Sequence, residues 1–231
     1  MGKYFGTDGI RGVANTELDA ALAYRAGIAA AYVLTRSLNR RATFYIGRDT
    51  RISGDMLECA LSAGICAAGA DVISLGVLPT PAVAFLTAQH QVDAGVVISA
   101  SHNPFEHNGI KIFGSTGYKL TDAQEAEIER YIDTPPADAL RHGGDIGRVT
   151  HLEQSAADEY IEHITKSAPS TLSGLRILVD CANGAASTTA SAVFSRLQAD
   201  AEILFDQPNG ININDGCGST HLDRLCAMVS A

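Results

Sequence analysis

Gly-Val-Val-Ile-Ser-Ala-Ser-His-Asn-Pro-Phe-Glu-His-Asn-Gly-Ile-Lys-Ile-Phe-Gly, residues 95–114, runs from an apolar β-branched segment into a small polar loop and back into a strand. Gly95 to Ile98 has the composition of a strand buried on both faces, and regular pairing breaks at Ser99 to Asn103. In an open α/β sheet ligands sit outside the carboxyl ends of the strands, so the first polar residues after a buried strand are offered to a crevice. Ser99 and Ser101 share a face while the chain stays extended, with Ala100 opposite. Pro104 biases Asn103 away from helix and ends the pairing. The segment reads as a rigid turn that holds Ser101 exposed.

Ile110 to Phe113 forms the return strand. Alternation puts Lys111 opposite in sense to Ile110 and Ile112, where its ammonium could face the same crevice as the serine. A hydroxyl that can hold a phosphoryl group, with a lysine to balance charge or exchange a proton, points to chemistry on phosphate. The alternatives are an ordinary turn, since Ser, Asn, Pro and Gly are what turns use, and an edge-strand lysine kept for solubility.

Working outward, Leu18 to Leu38 reads as one helix, Thr43 to Ile46 as a strand, and Met56 to Ala68 as a helix with Ser53 a plausible N-cap. Asp71 to Leu75 is a strand, and Thr80-Pro81 opens a helix running to about His90. Strand, helix, strand, helix, strand predicts a mostly parallel mixed sheet covered on both faces, a three-layer α/β/α architecture, with the Ile110 strand joining it antiparallel. Asp122 to Tyr131 reads as an exposed acidic helix. Between Asp133 and Thr150 the Pro135-Pro136 and Gly143-Gly144 pairs mark a connecting segment and a boundary near 150. Leu152 to Lys166 is a bridging helix. Strands at Leu175 to Val179 and Ala201 to Phe205 then begin a second unit of similar type, which ends in a helical Leu222 to Val229.

Charged turns sit at the strand ends. Residues 4–12 read Tyr-Phe-Gly-Thr-Asp-Gly-Ile-Arg-Gly, whose glycines allow close backbone approach and whose arginine fork suits phosphate oxygens. Arg48, Asp49 and Arg51 in Gly47 to Gly54 are expected to form a buried ion network under the loops. Asp180 to Ala186 is a small-residue turn that either binds an anion through its amides or packs a strand closely on a helix.

The chain has 231 residues, 46% of them hydrophobic and 19% charged, which is the composition of a folded chain. Its net charge of −9 argues against nucleic acid and anionic membrane as partners. Cysteines at 59, 66, 181, 217 and 226 form no C-x-x-C pair, so neither a zinc site nor a full disulfide set is indicated. No leader segment or membrane span is read, and a reducing cytoplasm is the expected setting. There is no G-x-S-x-G elbow for a serine hydrolase, and no dinucleotide or P-loop fingerprint.

Ile98 to Pro104 followed by Asn108-Gly109-Ile110-Lys111, together with residues 4–12, Gly47 to Gly54, Gly210 to Asn214 and Cys217 to His221, resembles the α-D-phosphohexomutases, and within them the branch acting on glucosamine phosphate. The resemblance covers essentially all 231 residues but only the first domain, 1–150, and part of the second, 151–231. It implies that Ser101 carries the transferable phosphate, that Lys111 is general acid or base, and that Arg11 reaches the phosphoserine. His102 is implied as catalytic, Thr7, Asn103 and Arg11 as phosphate-binding, and His102 and Asn103 as positioning the loop.

The implied reaction interconverts glucosamine 6-phosphate and glucosamine 1-phosphate through a sugar bisphosphate, towards UDP-N-acetylglucosamine and the cell wall. The alternatives are mannose or glucose phosphate as substrate, or a non-catalytic fragment. Mg²⁺ is the implied cofactor, held by the Ser101 phosphate and by aspartates of a loop this sequence lacks. Glucosamine or glucose 1,6-bisphosphate is implied as activator. An N-terminal fragment unable to turn over alone, with an unpaired sheet edge that invites self-association, is expected. His107 departs from the family, which most often has Asp at that place.

Overall fold

The computed structural model describes residues 2–6 and 9–229. Its centre is a seven-stranded mixed sheet built on β5, Ala94–Ile98, all five residues of which are buried. β3 (Thr43–Arg48) lies parallel to β5 on one side and parallel to β4 (Asp71–Val77) beyond, and β7 (Val149–His151) closes that edge, also parallel. On the other side β6 (His107–Gly114) pairs antiparallel with β5, followed by β2 (Gly9–Val13) and β1 (Phe5–Gly6). Four parallel strands therefore carry an antiparallel flank of three, and the Ile110 strand joins in the orientation the sequence predicts.

Alternation along the strands makes the layers. Phe44, Ile46, Val96 and Ile98 point into one core with α1 (Ala20–Thr35), α2 (Ser53–Ala67) and α4 (Asp122–Asp133). Their neighbours Tyr45 and Val97 point into the other, with α3 (Thr80–Gln89) and α5 (Glu153–Ser167). Each of the large side chains so buried contributes about 1.5–3 kcal/mol over its exposed state. α1 starts where Asp19 accepts the Leu22 amide at 2.7 Å, and α3 has its proline in the first turn. α1 and α2 cross with Gly27 and Gly64 in the contact: a side chain on Gly27 would strike Leu61 O, and one on Gly64 would strike Tyr24 O.

α5 packs twice. Ala156 and Tyr160 join the second core of the large sheet, while Ile161 packs with Val193 and Leu197 of α6 (Ala190–Arg196) against the parallel pair β8 (Arg176–Asp180) and β9 (Asp200–Leu204). α7, Asp223–Val229, is the last element described. Among the described residues no helix is long and apolar enough to cross a membrane.

Three local expectations change. α2 begins at Ser53 itself, and the residue before it, Ile52, supplies no side-chain cap. α4 is amphipathic and not simply exposed, since it buries Ile128 and Ile132 fully. The connecting segment contains β7, whose three residues are all exposed and so leave no apolar signature.

Candidate functional site

The site grows from the end of β5. The Ser99 amide donates to Gly109 O at 2.9 Å as the last bond of the β5–β6 ladder, and Ala100 is wholly buried. The chain then turns through Ser101, exposed and left-handed at φ +58. A non-glycine residue there costs energy that the surroundings must offset. Ser99 Oγ accepts the Ser101 amide at 3.1 Å, Ala100 O accepts the Asn103 amide at 3.2 Å, and Pro104 O accepts the His107 amide at 3.2 Å.

The second support is Arg51, only 1% exposed. Its Nη1 is paired with Asp49 Oδ2, and Asp49 Oδ1 accepts the Arg51 amide at 3.1 Å. Its Nη2 donates to Ser101 O at 3.1 Å and Asn103 O at 2.7 Å. Burial pulls the guanidinium pKa below its ordinary value, and the Asp49 carboxylate opposes that. Asp49 is itself fastened to the sheet, its amide donating to Ile98 O at 3.0 Å. Arg48, expected in the same network, instead pairs outward with Glu58 at 2.9 Å and Asp55 at 2.6 Å, because the strand alternation turns its side chain to the opposite side.

Register places the remaining candidates. Arg11 on β2 opposes Gly109 on β6, and a Cβ on Gly109 would lie 3.1 Å from Arg11 Cγ. Lys111 opposes Val97, two residues along β6 from Gly109, so Arg11, Lys111 and Ser99 project to one face of the sheet. His102 is exposed, its Nδ1 3.5 Å from Ser101 Oγ, long for a hydrogen bond. Asn103 contributes its carbonyl to the Arg51 clamp, and His107 opens β6 opposite Val13. Thr7 lies outside the described residues.

Several residues not singled out from the sequence complete the arrangement. Asn108, fully buried, donates to Ser53 Oγ at 2.9 Å and accepts the Gly109 amide at 2.8 Å, which joins the first turn of α2 to the return strand. Asn214 donates to Ser101 O and to Asn103 O, both at 3.0 Å. The intervening turn is gripped from the β8–β9 side: Thr50 Oγ1 donates to Asn183 O at 2.5 Å and the Ile52 amide to Gly210 O at 2.9 Å. An open cavity of about 620 Å³ lies between His102, Pro104 and Phe105 on one wall and Ile211, Asp215 and His221 on the other. In the sequence Asn214 stands out only as the end of the Gly210 to Asn214 segment and as one of the asparagines at 209–214, a residue type that tolerates the left-handed backbone it adopts there, φ +60.

At the Asp180 turn the aspartate's own carboxylate accepts one amide of the turn, Ala182 N at 2.7 Å, and one from outside it, Gly218 N at 2.8 Å. Among the described residues no group of three or more His, Cys, Asp or Glu is placed to hold a metal ion. The implied Mg²⁺ would therefore find one ligand in these residues, a phosphate on Ser101, which does not make a metal site by itself.

Comparison with known proteins points to one family. The family model described as Phosphoglucomutase/phosphomannomutase, alpha/beta/alpha domain I, matches residues 2–138. Phosphoglucosamine mutase of Pelotomaculum thermopropionicum is 56% identical over 230 residues, covering 99% of this chain and 51% of that protein. The Bacillus subtilis enzyme of the same name is 50% identical over 230 residues, with the same coverage. A crystal structure of a phosphoglucomutase/phosphomannomutase family protein from Burkholderia thailandensis superposes with a TM-score of 0.78 at 29% identity, over 95% of this chain and 48% of that one. The chain thus spans about half the length of these relatives.

Proposed function

This chain belongs to the phosphoglucomutase/phosphomannomutase family, and from that premise we propose that Ser101 carries the transferable phosphoryl group of a mutase interconverting glucosamine 6-phosphate and glucosamine 1-phosphate. The observation that carries the reading is the Ser101 turn: an exposed hydroxyl on a left-handed residue whose carbonyl is turned inward onto Arg51. A nucleophile loop needs that combination, with the reacting oxygen outside and the backbone fixed. The names of the relatives at 56% and 50% identity support glucosamine phosphate as the substrate over mannose or glucose phosphate.

In the proposed step an oxygen of the sugar's free hydroxyl forms a new P–O bond as the bond from phosphorus to Ser101 Oγ breaks. The hydroxyl proton passes to a base, for which Lys111 is proposed from its place on the same sheet face as Ser99, and ends on the departing Ser101 Oγ, which regains its hydroxyl. The bisphosphate so formed reorients, and its other phosphate returns to Ser101. A phosphoserine carries about −1.5 to −2 charges at neutral pH, so neighbouring cations matter, and that work is assigned to Arg11 and, once it has taken the proton, to Lys111. His102 and Asn103 are assigned to positioning, with Thr7 and Asn103 as phosphate contacts. Mg²⁺, when bound, neutralises charge on the phosphoryl group.

The same reading divides the chain into the family's first domain, 1–150, and an incomplete second, 151–231, with α5 as the seam between the two sheets. It also holds that these 231 residues alone do not turn over, since Ser101 stands open to solvent and water is not excluded from the reacting oxygen. A place on the route to UDP-N-acetylglucosamine and the cell wall, and a cytoplasmic setting, follow from the reading and stand or fall with it.

The test is intact mass of the chain as purified, before and after phosphatase, with peptide mapping across residues 99–111. One phosphoryl group on Ser101, lost on phosphatase treatment and absent from Ser101→Ala, is expected. Phosphate on another residue would overturn the assignment, and Ser101-dependent mutase turnover by the isolated chain would overturn the claim that it cannot cycle.

A further inference from the structure

The Ser101 turn brings two backbone carbonyls, those of Ser101 and Asn103, to converge on the same side of the loop, an arrangement of like dipoles that is stable only if donors fill the space between them. Each carbonyl has two lone pairs, and two side chains use them. Arg51 Nη2 reaches both from the Asp49 side, at 3.1 and 2.7 Å. Asn214 Nδ2 reaches both again, at 3.0 and 3.0 Å. Arg51 belongs to the turn after β3, whereas Asn214 lies 113 residues beyond Ser101 in the chain, in the loop that follows β9. That loop is set by its own asparagines: Asn212 Oδ1 accepts the Asn209 amide at 2.9 Å, Asn209 Oδ1 accepts the Ile211 amide at 3.0 Å, and Asn212 Nδ2 donates to Gln207 O at 3.0 Å. It is then anchored through Asn183, whose Oδ1 accepts the Gln207 amide at 3.2 Å and whose Nδ2 donates to Asn212 O at 3.2 Å.

We propose that Asn214 is a positioning residue for Ser101: it supplies the second half of the clamp that holds the nucleophile's backbone, and thereby ties the exposure of Ser101 Oγ to the placement of the β8–β9 part of the chain. The proposal rests on the reading of Ser101 as the phosphoryl carrier for its functional meaning, but the geometry is independent of whether the serine is loaded. Moving the β8–β9 part relative to the large sheet withdraws Asn214 and leaves Arg51 alone, so the loop relaxes when the two parts separate and tightens when they close.

The experiment is amide hydrogen exchange over residues 99–104, with the Ser101 amide-to-Hα coupling as a direct report of its φ, on the 231-residue chain. Asn214→Asp keeps the size and the tolerance for a left-handed backbone but presents a carboxylate to two carbonyls. Asn214→Gly keeps the backbone freedom and removes the side chain. Ile211→Ala, which trims an exposed side chain of the same loop and leaves its asparagine bonds and the clamp in place, is the control for damage of a merely structural kind. Loss of the bonds to the two carbonyls is expected to speed exchange at Ser101 and Asn103 by about five- to tenfold in both Asn214 variants and to shift the Ser101 coupling. The Ile211 variant should leave both readouts near those of the parent chain. Unchanged protection and coupling in the two Asn214 variants would overturn the proposal, as would equal loosening by Ile211→Ala. Phosphate found on a residue other than Ser101 would sink the phosphoryl reading and leave these exchange rates to decide the role of Asn214 on their own.

Discussion

Arg51 stands directly behind Ser101, with one guanidinium nitrogen on the serine's own carbonyl at 3.1 Å and another on the buried carboxylate of Asp49. One planar fork thus does two jobs: it compensates a charge sunk beneath the loop and fixes the turn that presents the hydroxyl. Replacing it by Arg51→Met strands the Asp49 carboxylate, which is only 4% exposed, and leaves the Ser101 and Asn103 carbonyls with Asn214 as their remaining side-chain donor. The expected loss is about 3–5 kcal/mol in urea unfolding. Arg51→Lys keeps the charge but not the fork and should lose less. An unfolding midpoint for Arg51→Met within error of the parent would show that the pair is not what holds the turn.

Gly64→Ala tests the helix layer. The position lies where α2 crosses α1, and a methyl there would strike the Tyr24 carbonyl, which is helix backbone and cannot swing aside. Separating the helices also loosens the packing around Ile28, Leu61 and Ile65. Overpacking of this kind costs about 1–3 kcal/mol. Thermal unfolding of the variant should show a lowered midpoint with unchanged helix content; a midpoint equal to the parent's would mean that the crossing is slack.

That crossing shows where sequence reading stops. The buried strands were legible because Phe44-Tyr45-Ile46 and Val96-Val97-Ile98 are too apolar to be half-exposed, and the break at Ser99 to Pro104 because its residues change all at once. Gly27, by contrast, reads in sequence only as a weak point in a helix, and its partner Gly64, 37 positions later, gives no sign that the two meet. Ser53 looks like a cap because serine before a helix usually is one, yet the helix starts on it and its hydroxyl serves Asn108 instead. β7 has three exposed residues and no periodicity to detect. Asn214 escapes for the same reason as Gly64: a donor brought from far along the chain leaves no local pattern. The motifs were readable; the long-range contacts that give them their geometry were not.

The buried thiol of Cys181 sets a pH limit. Burial, with Asp206 and Asp180 adding repulsion, pushes it up to about 11. An unfolded cysteine titrates at about 8.5, so above that pH the unfolded chain loses a proton that the folded chain keeps. The stabilisation is fully present below about 8.5 and is lost as pH rises towards the folded value. Cys181→Ala should therefore flatten part of the fall in stability across this range, read as urea midpoints at several pH values. In the folded chain at pH 8.5, iodoacetamide should label exposed Cys59 well before Cys181. Equal labelling rates, or parallel pH profiles for parent and variant, would contradict the burial argument.

Gly109→Ala probes the phosphate environment without touching a charged residue. A methyl at this position would lie 2.8 Å from Ser99 O, which must shift, and 3.1 Å from Arg11 Cγ and Ile10 O, so Arg11 is pressed away from the β5–β6 ladder along with the backbone before the Ser101 turn. If a phosphoserine at 101 draws on Arg11, its second ionisation sits below the ordinary value of about 6 in the parent chain, because a nearby cation favours the dianion. Displacing the cation raises it again. The ³¹P shift of chain loaded at Ser101, titrated between pH 4 and 8 as about the range that brackets that ionisation, should give a higher midpoint for Gly109→Ala than for the parent. Identical midpoints would separate Arg11 from the phosphate and leave Lys111 as the charge that the Ser101 turn was built to face.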